Sequence, residues 1–238
     1  LKVSEEMIMW DYLGLGGRGL SSMIFSKYVP FTCIPIGQHN KLIVAPGLLT
    51  GTDAANSGRL SIGAKSHLTG GIKESNVGGT AATKLARLGI AAIIIEGKPE
   101  KEKLYGLAVS KEGAKIFPAD ELKGLGNYLA VEKLQAKFDK KAGIISIGPA
   151  GEMRMAMASI AVTSTNGTPS RHAGRGGLGA VMGSKGLKAI VVDDAGGEKA
   201  VIKNPEAFKE ASQKFVKALK DHPATSQGLP TSGTNVLV

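Results

Sequence analysis

The sequence is poor in the residues that several common kinds of protein chemistry need. Cys33 is the single cysteine among 238 residues, so the chain can form neither an internal disulfide nor a multi-cysteine iron–sulfur or zinc site of its own. Its apolar neighbours favour a plain buried thiol, and a reducing, cytoplasmic location fits this cysteine usage. Aromatic residues make up only 5%, so the core must consist mainly of Ile, Leu, Val, Ala and Met.

Long apolar runs and targeting signals are also missing. No apolar run approaches the roughly twenty residues that cross a membrane, and no signal-peptide pattern is present. The chain begins at Leu1 without a methionine, which suggests a fragment of a longer protein. With 42% hydrophobic residues, it is long and apolar enough for a folded core in one or two domains.

Positive charge is plentiful, since the formal net charge is +10, and it favours an anionic partner. The lysines are scattered, however, and no basic patch interleaved with aromatic residues indicates a nucleic-acid interface. A basic nucleic-acid-binding module is therefore kept as a minor alternative to an anionic cofactor.

Glycine is abundant, with 33 residues, and the stretch 171–185 (RHAGRGGLGAVMGSK) contains five of them. Glycine allows positive φ and close backbone approach, and successive free N–H groups form an anion-binding concavity. Arg171 and Arg175 offer planar donor forks to phosphate, and the following apolar run could begin a helix whose N-terminus adds positive charge. We predict an anion cradle for a phosphorylated cofactor; a glycine-rich turn with solvated arginines is the alternative.

The same stretch contains the spacing of a dinucleotide-binding loop. Gly174, Gly176 and Gly179 match the pattern Gly-x-Gly-x-x-Gly, and Asp193 lies near the distance expected for the ribose-binding acid. In that motif the first glycine follows directly on a strand, whereas here the polar segment 164–173 intervenes. A nicotinamide-dinucleotide-binding domain of a dehydrogenase is therefore the second alternative.

Periodicity and turn residues predict two similar series of elements. The first has strands at 41–45 and 59–65, a helix at 80–88 and a fully buried strand at 90–95. The second has strands at 144–147 and 157–163, the glycine-arginine stretch and a buried strand at 187–192. The other predicted elements are a helix at 20–28, a hairpin about Glu112-Gly113, and a helix at 127–138 with Leu129, Leu134 and Phe138 on its apolar side.

The two series align as an internal duplication. Ala91–Glu96 falls on Lys188–Asp193, and this register also places Gly79 on Gly176. Two equivalent glycine loops about a pseudo-twofold axis could hold two related anionic groups. The sequence therefore predicts two similar halves.

After Gly197 the character of the sequence changes. Asn204 and Pro205 are typical of an N-cap and first helical residue, and the helix should continue to about Lys220 with one apolar face and one solvated lysine face. We predict a first domain at 1–197 and the start of a helical domain, cut short, at 198–238.

Arg59 and Asn76 are further polar candidates. Arg59 begins a predicted strand and could reach a ligand in the crevice of the glycine loops, or lie on the surface. Asn76 could bind a cation or a phosphate, or form a turn. The histidines show no metal-ligand spacing, and no nucleophilic set of side chains can be assembled, so the catalytic residues are unknown.

Together these residues resemble the N-terminal, cofactor-binding domain of the tungsten-containing aldehyde ferredoxin oxidoreductase family. The resemblance covers nearly the whole chain and is carried by GGRGL at 16–20, PGLLTGT at 46–52, GRLSIGAKS at 58–66, NVGG at 76–79, IGPAGE at 147–152 and the stretch 171–185. It implies an α+β fold with two mixed β-sheets and short helices, which agrees with the duplication.

The resemblance also implies a cofactor. In this family two pterins chelate one tungsten, or sometimes molybdenum, and their phosphates are joined through Mg²⁺. Backbone carbonyls of Asn76 and His172 would contact the Mg²⁺; the family usually has a small residue where His172 stands, which leaves that residue a backbone role. With Arg175 added from the anion cradle, the implied cofactor contacts are Arg59, Asn76 and Gly78 on one side, and Arg171, His172, Gly174 and Arg175 on the other.

The implied activity is oxidation of aldehydes or related oxo compounds to acids. Electrons would pass to a 4Fe–4S cluster and then to ferredoxin or a similar carrier. The family's cluster and its acid–base residues lie in later domains, so this chain alone should be inactive. The expected partners are a small aldehyde or oxo substrate and the electron carrier, with a homodimer as one option and with neither nucleic acid nor a membrane involved.

Overall fold

Two β-sheets and a set of mostly short helices form the fold in a computed structural model, which describes residues 1–100 and 102–237. The strands are β1 (Leu42–Pro46), β2 (Leu60–Lys65), β3 (Ile72–Val77), β4 (Ile93–Ile95), β5 (Tyr105–Ser110), β6 (Gly113–Pro118), β7 (Gly143–Ser146), β8 (Ile160–Val162), β9 (Arg171–Ala173) and β10 (Leu187–Val192). The α-helices are α1 (Gly17–Tyr28), α2 (Ala81–Arg87), α3 (Asn127–Lys137), α4 (Pro149–Glu152), α5 (Leu178–Ser184), α6 (Pro205–Asp221) and α7 (Leu229–Ser232). Short helical turns occur at Trp10–Tyr12, Asp120–Leu122, Ala224–Gly228 and Gly233–Leu237.

The strand order repeats between the two sheets, as a duplication requires. The smaller sheet has the order β3-β2-β1-β4, and the larger sheet contains β9-β8-β7-β10 in the same order. Every pair in these two sets is antiparallel. The hairpin of β5 and β6 extends the larger sheet, and β5 pairs parallel with β10, which makes that sheet mixed.

The pairing register repeats as well. Val44 on β1 faces Ile62 on one side and Ile93 on the other. Ile145 on β7 faces Val162 and Ile190 in the same way. Ile93 and Ile190 are equivalent in the alignment of Ala91–Glu96 with Lys188–Asp193, so the structure has the register that the duplication predicts.

The helices follow the same repeat. Helix α1 precedes β1 and packs on the outer face of the smaller sheet, and α3 precedes β7 and packs on the outer face of the larger sheet. Helices α2 and α5 stand at equivalent places before β4 and β10, and both lie in the apolar core that the two sheets share. The buried thiol of Cys33 belongs to the apolar cluster under α1.

Several predicted elements differ from the structure. Strand β4 is shorter than predicted and is not fully buried, because it forms the edge of its sheet and leaves Ile94 46% exposed. On α3, Leu134 is buried as predicted, but Leu129 and Phe138 are exposed. The buried side of α3 instead carries Ala130 and Val131, since positions 130, 131 and 134 share one face of a 3.6-residue repeat and 129 does not.

The C-terminal helix α6 begins as predicted. The side chain of Asn204 accepts a hydrogen bond from the Ala207 amide at 3.1 Å, and Pro205 is the first helical residue. No residue of α6 is fully buried, and Phe208, Val216 and Leu219 on its apolar face are half-buried. In the described part of the chain, no helix combines the length and the apolar character that crossing a membrane demands.

Candidate functional site

Arg59, Asn76 and Gly78 lie together at one edge of the smaller sheet. Arg59 immediately precedes β2, and its Nε donates a hydrogen bond to Oδ1 of Asn76 on the neighbouring β3 at 2.5 Å. Asn76 is paired with Ser61, and its amide donates to the Ser61 hydroxyl at 3.4 Å. A Cβ at Gly78 would lie 3.2 Å from Nη1 of Arg59, so the loop backbone passes close to the guanidinium.

The N-terminus of α1 meets the same cluster. Gly16 is its N-cap and provides no side-chain cap, and Gly17 has a φ of +51°. A Cβ at Gly17 would lie 3.2 Å from Oγ of Ser61. The positive end of this twelve-residue helix therefore adds to the positive charge beside Arg59. The sequence predicted this helix only over 20–28 and missed its first turn, for which the glycines gave no signal.

His172 occupies the equivalent place in the second half. It lies on β9 opposite Ala161, as Asn76 lies on β3 opposite Ser61. Its Nδ1 is 3.0 Å from Oγ of Ser159, the residue that immediately precedes β8. Ser159 thus corresponds to Arg59, and the contact between Ser159 and His172 corresponds to the contact between Arg59 and Asn76. Ser159 was not among the site residues predicted from the sequence.

The two halves place their arginines at exchanged positions. Arg171 pairs with Val162 on β8, and the equivalent residue Ser75 pairs with Ile62 on β2. Each half therefore carries one arginine and one serine, with Arg59 and Ser75 in the first half, and Ser159 and Arg171 in the second. Within the described residues, neither guanidinium forms an ion pair with a carboxylate, and Arg171 and Arg175 are exposed.

The two edge strands β3 and β9 lie against each other, and the loops after them reach across. The Arg175 amide donates to Oγ of Ser75 at 3.3 Å. The buried Ser66 hydroxyl donates to the carbonyl of Gly176 at 2.7 Å.

The loop after β3 contacts the second half in turn, because the Thr80 amide donates to the carbonyl of Thr163 at 2.8 Å. All the predicted site residues consequently lie on or next to two adjoining edge strands, three in the first half and four in the second.

The glycines after Gly176 have a different role. A Cβ at Gly177 would lie 1.9 Å from the carbonyl oxygen of Ala156, and a Cβ at Gly183 would lie 1.9 Å from that of Gly151. These glycines let the buried helix α5 pack against backbone, so they do not face a ligand. Gly174 has no atom within 4 Å of an added Cβ and is the open glycine of the stretch. The sequence predicted an anion cradle over residues 171–185. Because Gly177 and Gly183 pack against backbone, only residues 171–176 remain candidates for binding an anion.

Lys185 is likewise outside the cradle. It is buried and donates hydrogen bonds to the carbonyls of Asn40, at 2.5 Å, and Gly37, at 3.0 Å. Burial lowers the pKa of its ammonium group to about 8. It stabilises the loop before β1 instead of contributing charge to the site.

The dinucleotide alternative finds no support in the fold. In that motif the glycine loop joins a strand of a parallel sheet to a helix. Here β9 is a three-residue strand paired antiparallel with β8, and the helix after it is the seven-residue, buried α5.

Comparison with known proteins agrees with the geometry. The family described as aldehyde ferredoxin oxidoreductase, N-terminal domain, matches residues 1–194. The chain is 40% identical over 229 residues to the tungsten-containing aldehyde ferredoxin oxidoreductase of Pyrococcus furiosus, covering 94% of this chain and 36% of that protein. It is 38% identical to the protein of the same description from Thermococcus kodakarensis, with the same coverage.

A solved structure has the same fold. The chain is similar to a chain of the active-site complex BamBC of benzoyl coenzyme A reductase, with a TM-score of 0.78 and 34% identity over 86% of this chain and 30% of that chain. The α+β class with two sheets and the predicted family are both confirmed. The chain spans about a third of the length of the curated relatives that it matches. It belongs to the aldehyde ferredoxin oxidoreductase family, whose N-terminal domain is matched by residues 1–194.

Proposed function

We propose that this chain is the cofactor-binding part of an enzyme that oxidises aldehydes, or related oxo compounds, to carboxylic acids at a tungsten or molybdenum bis-pterin centre. The observation that carries the proposal is the equivalence of Asn76 and His172. Two like positions on adjoining edge strands suit a ligand that itself consists of two like halves.

The charge of the site fits the anionic groups of such a ligand. Arg59 and Arg171 come from different halves, and neither is neutralised by a carboxylate within the described residues. Each guanidinium can offer two parallel donors to a phosphate. The open backbone at Gly174 and the loop at Gly78, close to Arg59, leave room for a ligand to approach the main chain.

Mg²⁺ between the two phosphates would be held by backbone oxygens. Mg²⁺ prefers oxygen ligands and usually keeps phosphates and water among them. We propose that the carbonyls of Asn76 and His172 are its protein ligands, one from each half. Both residues lie on edge strands, where one side of the backbone has no neighbouring strand within its sheet.

When bound, the bis-pterin metal supplies the two-electron oxidation of the substrate. The residues of this chain bind and orient the cofactor through its phosphates. We propose that electrons leave through a 4Fe–4S cluster to ferredoxin or a similar carrier, in the cytoplasm. Cys33 is buried under α1, so the cysteines of that cluster would come from the rest of the protein.

The choice of substrate would also come from the rest of the protein. Related chains include the WOR-like subunit of an aliphatic sulfonate oxidoreductase of P. furiosus, 31% identical over 82% of this chain, and the benzoyl coenzyme A reductase complex. Since proteins with such different names share this domain, we propose that it binds the cofactor and leaves substrate recognition to other domains.

The test is metal and pterin analysis of the full-length protein after anaerobic expression. We expect one tungsten or molybdenum and two pterins per chain, together with aldehyde oxidation coupled to a ferredoxin or an artificial acceptor. Tight binding of NADH without metal would instead support a dehydrogenase. A steep salt-dependent affinity for DNA, with no pterin, would support a nucleic-acid-binding module.

A further inference from the structure

We propose that the side chains of Ser159 and His172 form a phosphate-binding pair, the counterpart in the second half of Arg59 and Asn76. This inference rests on the proposed bis-pterin ligand and adds one side-chain contact to it, a hydrogen bond from His172 that Ser159 positions. It differs from the role implied by the family resemblance, which gives position 172 a backbone contact alone.

The placement of the pair follows from the strand register. Ser159 and Arg59 each immediately precede the second strand of their half, and His172 and Asn76 each face that strand from the edge. In both halves a side-chain hydrogen bond joins the two positions, at 2.5 Å in the first half and 3.0 Å in the second. The second contact is therefore a repeat of the first with different residue types.

The chemistry of the pair suits an anion. When the half-buried Ser159 hydroxyl donates to Nδ1 of His172, the neutral imidazole carries its hydrogen on Nε2. Nε2 has no hydrogen-bond partner within the described residues, and the imidazole is exposed. The ring can thus donate one hydrogen bond to a phosphate oxygen without taking up a proton. The contact with Ser159 holds the ring in this orientation, and donation by the hydroxyl to Nδ1 selects the tautomer that this bond requires.

The neighbouring residues favour phosphate as the ligand of this pair. Arg171 precedes His172 on the same strand, and Arg175 follows in the adjoining loop. Within the described part of the chain, no carboxylate forms a hydrogen bond with Ser159 or His172. The first half of the site gains its charge through Arg59, and the second half gains it through Arg171, so each phosphate would meet one guanidinium and one neutral donor.

The experiment compares cofactor retention in variants of the full-length protein. Release of pterin and metal from the anaerobically loaded protein is followed by dialysis and pterin fluorescence, so that the measurement does not depend on activity. We expect Ser159→Ala and His172→Ala each to raise the release rate about tenfold, since each removes or misdirects one donor to a charged group. His172→Gln keeps an amide donor and should recover part of the loss.

Matched controls separate the site from general effects. Ser110→Ala removes a hydroxyl on the β5–β6 hairpin, and His39→Ala removes an exposed imidazole that contacts Gln38. Both should release cofactor at the wild-type rate. Circular dichroism and thermal unfolding show whether each variant is folded.

The outcomes distinguish this inference from the proposed function. If Arg59→Ala and Arg171→Ala lose cofactor while Ser159→Ala and His172→Ala retain it as the wild type does, the pair has no role and position 172 acts through its backbone only. If the wild-type protein contains no pterin, the proposed function fails and this inference fails with it.

Discussion

Arg59 and Arg171 lie at different positions of equivalent strand pairs. Arg59 immediately precedes β2, whereas Arg171 is on β9. Arginine is suited to this task because its fork of donors matches phosphate geometry, whereas lysine offers a single point charge. The serines at the exchanged positions have other partners, since Ser75 accepts a hydrogen bond from the Arg175 amide and Ser159 contacts His172. The two arginines are therefore the residues by which the proposed cofactor contact is best tested.

We expect Arg59→Ala and Arg171→Ala each to lower cofactor affinity of the full-length protein about tenfold to a hundredfold. A hydrogen bond to a charged group contributes about 1.5–3 kcal/mol, and bidentate contacts lie at the upper end. Arg171→Lys should recover only part of the loss. The measurement is metal and pterin per folded chain.

Arg87→Ala is the control for both arginines. Arg87 lies on α2, and its Nη1 donates to Asp194 at 3.0 Å, away from the cofactor loops. Its removal should leave cofactor occupancy unchanged. Full occupancy at wild-type affinity in both Arg59→Ala and Arg171→Ala would show that these loops do not bind the cofactor.

The buried ammonium group of Lys185 should make the stability of the chain depend on pH. Its pKa is lowered to about 8 in the folded chain, below the ordinary value of 10.5 that it regains on unfolding. Between these pH values the unfolded chain binds more protons, so the free energy of unfolding should rise with pH by about 1–3 kcal/mol. The neutral amine keeps two hydrogens for the carbonyls of Gly37 and Asn40.

Urea unfolding at pH 7.5 and 9.5 tests this expectation. The reference is Lys185→Met, which has no titrating group at position 185. The pH-dependent gain in the wild-type chain should be absent from the variant. An equal change in both proteins would assign the gain to other groups.

Helix α5 shows that a glycine motif can serve packing as well as ligand binding. Its glycines stand where a side chain would meet backbone atoms, and the helix has every residue buried. Their sequence pattern is the same whether a ligand or another chain segment approaches the backbone. Only the fold separates the open Gly174 from the packed Gly177 and Gly183.

We expect Gly183→Ala to destabilise the chain by about 1–3 kcal/mol, because its Cβ would overlap the carbonyl of Gly151. Gly174→Ala is the matched substitution in open space and should change stability by less than about 0.5 kcal/mol. Thermal unfolding compares the two. Equal stability of the variants would mean that α5 is less tightly packed than its contacts indicate.

The elements that the sequence predicts well are those whose pattern depends on burial. Strand β10 was predicted at its observed bounds, because both of its faces pack against apolar layers and Lys188 is the one charged residue of the run. Strands β3 and β9 were not predicted, because they are polar edge strands without alternation of apolar residues.

The site was predictable only in part for the same reason. Arg59, Asn76 and Arg171 could be named as candidates, since their residue types and glycine-rich neighbourhoods indicate anion binding. The pairing of β2 with β3, and of β8 with β9, decides which of them touch. Ser159 gave no signal of its own, because its place becomes visible only when the two halves are aligned through their strand register.

The candidate site is open to solvent in the folded chain. Arg171, His172 and Arg175 are exposed, and so is Asn76 on the adjoining strand. A cofactor of two pterins and a metal would be covered from one side only. The chain spans 36% of its tungsten-containing relatives, so other parts of such a protein are available to cover the other side.

We therefore expect the chain of residues 1–238, expressed alone, to fold but to purify without tungsten and without aldehyde oxidation. Elemental analysis and an activity assay, with the full-length protein as the positive control, test this. Stoichiometric tungsten in the isolated chain would show that the N-terminal domain retains the cofactor unaided.

The glycine loops after β3 and β9 each contact the opposite half of the chain, and these contacts bear on the origin of the fold. Thr80 bonds to Thr163 and Ser66 bonds to Gly176, so each half completes the other, as subunits do in a symmetric homodimer. Fusion of two such subunits, with the β5–β6 hairpin as an insertion between them, would produce this chain. Two polypeptides divided after Lys98 should accordingly be insoluble when made separately and should assemble when made together.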